Sequence, residues 1–228
     1  SGRLKNSNTV CLNGRPIRAD LASRLALPVY IENDANCFAL AESRFGAGRS
    51  VETVFGVILG TGVGGGIVHR GETLIGRHGI CGEWGHNVIE PDGSPCYCGK
   101  SGCVEATIAG PSLERWFAER SGRSLELPAV HMLSETGDGD ARATMERLIV
   151  HLARALGFVI RLLDPGIIVL GGGVSNLPVL YDGRLEEALD RELGYRPQNR
   201  IVRHELGDSA GVIGAALLPG TTGTSVNG

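Results

Sequence analysis

Apolar residues recur at helical spacing through 141–163, where positions 145, 148, 149, 152, 156, 159, 160 and 163 form one stripe. That segment is the clearest predicted helix, and Asp164-Pro165 stops it. Next comes GIIVLGGG (166–173), an unbroken apolar run that predicts a buried strand ending in three glycines. Earlier, 20–27 predicts a short helix capped by Asp20, and VYIE (29–32) a buried strand after Pro28. Positions 35, 38, 39 and 45 give the next helix one apolar face, terminated by Gly46 or Gly48. TVFGVILG (53–60) predicts a strand that enters a hairpin through the glycine-rich GTGVGGG (60–66) and returns along 67–71 and 72–76. Helices are predicted at 104–109, 112–120 and 128–135, with 136–140 as a boundary, and an amphipathic helix at 177–193. A last strand at 200–206 and a small-residue helix at 208–218 complete the series. Strands alternating with helices predict an α/β fold.

Composition narrows the classes. Of the 228 residues 42% are hydrophobic and 21% charged, as in soluble globular proteins. The net charge of −3 gives no electrostatic reason to expect nucleic acid or an anionic membrane as partner. No apolar run approaches the length of a membrane span. Six cysteines are too few for a disulfide scaffold of this size. The 35 glycines cluster at strand ends, which favours a backbone that comes close to a ligand at several places. The tail GTTGTSVNG has no apolar periodicity and is expected to be disordered.

Chemistry concentrates in GEWGHNVIEPDGSPCYCGKSGCVE (82–105). His86, Cys96, Cys98 and Cys103 fall within a short span, with glycines at 99 and 102 to turn the backbone. One histidine and three cysteines make a full tetrahedral shell, the arrangement of structural zinc with no position open for a substrate water. Glu83, His86 and Glu105 lie beside this predicted staple, and two carboxylates next to an imidazole suit a polyhydroxylated ligand. Asp34, where a strand is predicted to give way to a helix, reads either as a helix N-cap or as a carboxylate at a ligand site. The turn at Gly60–Gly66 exposes successive N–H groups that can cradle phosphate, with Thr61 adding a hydroxyl. It leads to a strand, however, so it is no dinucleotide fingerprint. Trp116 and Phe117 read as core residues, and His151 as a packed or solvated histidine, rather than as ligands.

Taken together, ENDAN (32–36), GTGVGGG (60–66), GEWGH (82–86), CYCGKSGCVE (96–105) and LDPGIIVLGGG (163–173) resemble, in order and spacing, the ROK family of sugar kinases and repressors. The resemblance runs from LKNSN near the start to GDSAGVIGAA near the end, and is nearest to bacterial fructokinases and N-acetylglucosamine kinases. It implies the actin-like ATPase (ribonuclease H-like) fold and ATP-dependent phosphorylation of a hexose or hexosamine hydroxyl. The expectation is fructokinase-like chemistry at the 6-hydroxyl; the alternatives are N-acetylglucosamine kinase, a sugar-responsive repressor or a non-catalytic sugar-binding module.

The resemblance also implies roles. Asp34 is the general base and Asn33 binds sugar beside it. Glu83, His86 and Glu105 bind hydroxyls, with His86 shared between zinc and sugar. Gly60, Thr61, Gly62 and Gly64 form a phosphate segment, and Gly171, Gly172 and Gly173 lie beside the adenosine. Structural zinc is held by His86, Cys96, Cys98 and Cys103, while ATP and magnesium are the cofactors of turnover. A cytoplasmic homodimer or higher homo-oligomer, with sugar and ATP as its small-molecule partners, follows by the same likeness. The family's opening strand with D-x-G-G-T is missing here, so the chain is expected to be an N-terminally truncated form with little kinase activity of its own. On that reading 1–45 are a remnant of the small lobe, 46–205 the large lobe, and 206–228 a terminal helix with its tail.

Overall fold

The computed structural model describes Arg3 and residues 10–220. The LKNSN stretch and the tail at 221–228 therefore lie outside the described residues. The chain forms helices α1 (Ile17–Leu25) and α2 (Asp34–Phe45), strands β1 (Thr53–Leu59), β2 (Val63–His69) and β3 (Glu72–Thr73), and helices α3 (Val104–Ile108), α4 (Gly110–Ser121), α5 (Leu127–Glu135) and α6 (Gly139–Leu163). Strand β4 (Ile167–Gly171), helix α7 (Arg184–Leu193), strand β5 (Arg200–Arg203) and helix α8 (Ala210–Leu217) follow. The five strands make one mixed sheet in the order β3-β2-β1-β4-β5. β1 runs antiparallel to β2 and parallel to β4, which is parallel to β5.

The central strands are buried on both faces, so they read as continuous apolar runs. Phe55, Val57 and Leu59 of β1, with Ile168 and Leu170 of β4, join the larger core built with α3 to α7. Val54, Ile167 and Val169 point the other way, into a smaller core with α2 and α8. Helix α2 lies close on the sheet because Gly56 and Gly66 leave room: a Cβ on Gly66 would stand 2.4 Å from the Ala35 carbonyl oxygen. Helix α8 closes the outside of α2, and residues 35–43 are all buried. By contrast, α1 buries none of its residues.

Several local expectations are corrected. Residues 29–32 are extended but form no strand; they have no sheet partner among the described residues, and Tyr30 and Ile31 remain exposed. Helix α1 begins at Ile17 after Pro16, which places Asp20 inside the first turn rather than at the cap. The hairpin turn is shorter than the glycine run suggests, since β2 already starts at Val63 and absorbs Gly64, Gly65 and Gly66. Two tight 3-10 turns, Gly173–Asn176 and Pro178–Leu180, precede the helix, so α7 starts only at Arg184.

One buried charge was not legible in the pattern. Glu42, fully buried in α2, accepts hydrogen bonds from the backbone N–H groups of Ala47 (2.9 Å), Glu205 (3.2 Å) and Leu206 (2.9 Å). It ties the end of α2 to the segment between β5 and α8. Glu42→Ala strands these donors, and the expected loss in urea unfolding is about 3 kcal/mol or more. Glu42→Gln, which keeps one carbonyl acceptor, is expected to lose less.

Candidate functional site

The metal-type cluster forms as its spacing predicts. One ligand atom from each of His86, Cys96, Cys98 and Cys103 lies within 4.8 Å of every other. Cys98 Sγ is 3.6 Å from Cys103 Sγ, and Cys96 Sγ is 3.6 Å from His86 Nδ1. Zinc–sulfur bonds of about 2.3 Å in a tetrahedron put sulfurs about 3.8 Å apart, so the donor set fits the ion. The loop is folded by short backbone bonds: Cys96 N–H to the Lys100 carbonyl (2.8 Å), Gly99 N–H to Cys96 (3.0 Å) and Gly102 N–H to Ser94 (2.9 Å). Gly102 is required, since it has φ +66° and its Cβ would fall 1.5 Å from the Glu90 carbonyl oxygen.

The thiols differ in their surroundings. Burial pushes Cys103 up to about 12 and also raises Cys96. The Lys100 backbone N–H lowers exposed Cys98. Coordination would draw off all three protons, because the thiolate is the ligand.

A clamp from α6 holds this loop, and nothing in the motif reading pointed to it. Arg147 donates to both carboxylate oxygens of Glu90, at 3.0 and 2.5 Å, and holds that carboxyl below its usual range. Arg154 donates to the Ile89 carbonyl at 3.0 Å, and the Arg147 guanidinium lies 5.3 Å from the Trp116 ring. His151 faces Glu90 at 3.7 Å, and burial lowers its pKa. Phe117 is core, as expected, while Trp116 is half-buried under Arg147 and Arg120.

The segment that leads into the cluster approaches the start of α2 at Glu83. Asn33, not Asp34, caps that helix: its Oδ1 accepts from Ala35 N–H at 2.8 Å. Asp34 is the first helical residue, is exposed, and uses Oδ1 for the same N–H at 2.9 Å. Across 50 residues of chain, Asn33 Nδ2 stands 3.5 Å from Glu83 Oε1. Glu32, which the motif reading left without a role, accepts from Asn33 N–H (2.7 Å) and Asn36 Nδ2 (3.0 Å) and so steadies this helix start.

Glu105, in the first turn of α3, accepts the Val63 N–H at Oε2 (2.9 Å). His86 turns Nε2 toward the Tyr97 hydroxyl at 3.1 Å. That hydroxyl is pushed up to about 12 by burial and then by the charges of Glu105, Cys96 and Glu83.

The two glycine segments adjoin one another at the carboxyl ends of parallel neighbours β1 and β4, the edge where α/β sheets bind ligands. Gly172, at φ +83°, packs against the end of β1, where a Cβ would be 2.4 Å from the Leu59 carbonyl oxygen. Gly60, with Thr61 and Gly62 in the exposed turn, faces Gly173. Gly64 lies within β2 against Ala35, and Gly171 against the Phe38 ring, so both leave space for α2.

Comparison with known proteins now places this arrangement. The model of the ROK family matches residues 2–221. The N-acetyl-D-glucosamine kinase of Erwinia tasmaniensis is 38% identical over 227 residues, a match that covers 95% of this chain and 75% of that protein. The ROK hexokinase of Thermus thermophilus superposes with a TM-score of 0.83 at 38% identity, covering 91% of this chain and 70% of the other. A ROK family glucokinase from Streptomyces griseus, solved with glucose and AMPPNP, superposes at 0.78 with 31% identity, covering 90% and 72%. The chain belongs to the ROK family, and its fold is the actin-like ATPase fold of those kinases. Among the described residues no helix is long and apolar enough to cross a membrane.

Proposed function

We propose that these residues form the sugar site of an ATP-dependent kinase that phosphorylates a hexosamine or hexose, N-acetylglucosamine before fructose. The observation that carries the reading is the approach of Asn33 to Glu83, which brings the α2 start and the metal loop to one place. The similarity to an N-acetyl-D-glucosamine kinase and to hexose kinases supports the aminosugar or aldohexose over a ketose.

In this reading Asp34 accepts the proton of the attacking hydroxyl, the 6-hydroxyl of the sugar. Its Oδ1 is engaged by the helix N–H, so Oδ2 is the oxygen that meets the substrate. Glu83 and Glu105 accept from vicinal hydroxyls. His86 Nδ1 is turned to the cysteines, so its other nitrogen carries the hydrogen and acts as donor. His86, Cys96, Cys98 and Cys103 would hold a structural zinc ion, which would fix that tautomer and the loop. Thr61, Gly62, Gly172 and Gly173 offer backbone donors to ATP phosphates and nucleoside, while the Gly60 N–H closes the turn on the Gly62 carbonyl at 2.9 Å. ATP would supply the phosphoryl group, and magnesium bound with it would offset the charge of its phosphates. A panel of sugars assayed with ATP and magnesium on the intact gene product tests the reading. Turnover of N-acetylglucosamine or glucose well above that of fructose is expected; no phosphorylated sugar at all would sink it.

A coupling follows from Glu105. A methyl on Gly62 would stand 2.5 Å from Glu105 Oε2, so Gly62→Ala must push the carboxylate off its place. Calorimetry without nucleotide is expected to show sugar affinity falling roughly tenfold to hundredfold, the scale of one hydrogen bond to a charged group. A residue of the phosphate turn would then be read out through the sugar.

A further inference from the structure

The free nitrogen of His86 is already engaged. Its Nε2 lies 3.1 Å from the Tyr97 hydroxyl, and the two rings meet edge to face with centroids 5.2 Å apart. His86 itself has little freedom. Nδ1 faces Cys96 Sγ at 3.6 Å, and its carbonyl accepts from Lys100 Nζ at 2.6 Å and from Cys103 Sγ at 3.5 Å. An imidazole whose one nitrogen is turned to a metal cluster has one hydrogen left to donate, so it serves one strong acceptor at a time. In this arrangement that acceptor is Tyr97.

Tyr97 is held very differently from His86. Its main chain is fixed between Cys96 and Cys98, but its side chain is 69% exposed. The contact with His86 is its one hydrogen bond among the described residues. An exposed ring on a fixed backbone, anchored by one exchangeable bond, rotates away about its side-chain torsions at small cost.

Resting on the sugar-site reading above, we propose that Tyr97 is a specificity-determining residue: its hydroxyl stands in for a sugar hydroxyl on His86 Nε2 and must be displaced when the sugar binds. The sugar gains that hydrogen bond only by breaking another, so the net contribution of the matching hydroxyl is small. A sugar that lacks this hydroxyl leaves Tyr97 in place and loses little. Tyr97 thereby widens the range of sugars the site accepts. With the competing oxygen removed, the same hydroxyl on the sugar becomes strongly selected.

Calorimetry of the zinc-loaded protein and of Tyr97→Phe, with the favoured sugar and its monodeoxy analogues, tests this. Tyr97→Phe is expected to bind the favoured sugar about threefold to tenfold more tightly, the factor of one net hydrogen bond. Affinity for one analogue, the one lacking the hydroxyl that meets His86, is expected to stay the same. Zinc content and thermal midpoint should match the parent protein. Equal or weaker binding of the favoured sugar by Tyr97→Phe overturns the inference alone, since Tyr97 would then be inert or a direct sugar contact. A parent protein that binds no sugar overturns the kinase reading together with this inference.

Discussion

Asp34→Asn is expected to lower kcat for sugar phosphorylation by roughly two to four orders of magnitude, the contribution of one positioned general base. Asparagine keeps the size of the side chain and its carbonyl oxygen still accepts the Ala35 N–H, so the start of α2 should hold its shape. What is lost is the capacity to take a proton as the sugar oxygen bonds to phosphorus. Sugar affinity, read by calorimetry, should change only a few-fold, because Glu83 and Glu105 carry most of the grip in this reading. A coupled assay on the intact gene product separates the two quantities. If Asp34→Asn keeps near-normal kcat, Asp34 is a helix-start residue and nothing more. The cap itself is the work of Asn33, whose Oδ1 accepts from the same N–H.

Removal of the metal is expected to have the second large effect. Cys103→Ser, or exhaustive chelation, should abolish measurable sugar binding and lower the melting temperature by roughly 10 °C or more. For a chain of this length about 1 kcal/mol corresponds to roughly 2–4 °C. Structural zinc supplies several kcal/mol of folding energy where the loop has little core of its own. The loop between β3 and α3 fits that description: Cys96 and Cys98 are not buried, and its backbone turns on glycines at positive φ. Cys103 is the ligand at the edge of the core, just before α3, so its loss should also release Glu105. Metal analysis with protease nicking of 76–103 checks the first step, and calorimetry the second. The larger core should survive, since α6 packs there among apolar residues that include none of the cysteines. Full sugar affinity in a metal-free protein would overturn the assignment of the cluster as the staple of the site.

What could be read from the sequence was local in the chain. The helical stripe of α6, the apolar runs of β1 and β4, and the four candidate ligands in 86–103 each follow from periodicity or spacing over at most a few turns. The helix predicted at 141–163 differs from the observed one by only two residues at its start. The strand predicted at 29–32 fails for the complementary reason. An apolar stretch becomes a strand only when a neighbour supplies hydrogen-bond partners, and local pattern does not encode the neighbour.

The residues missed share a signature. Glu42 and Arg147 are ordinary charged residues in sequence, without a motif around them, while Glu32 and Glu90 sit inside quoted motifs that give them no role of their own. Glu42 acquires its role from backbone groups 163 residues away, and Glu90 from an arginine 57 residues away. Tyr97 was visible only as the middle letter of C-x-C; its orientation toward His86 comes from the folded loop.

By itself, then, the sequence determined the α/β alternation, the four residues that gather into a possible metal cluster, and the family, because each rests on spacing along the chain that survives without knowledge of contacts. The tertiary structure alone decided that Asn33 meets Glu83, that Glu105 accepts from the start of β2, and that Tyr97 occupies the free nitrogen of His86. Those contacts arise when two glycine strips let α2 settle on the sheet and a clamped loop closes over its start, and distances across a fold are set by packing, not by order along the chain.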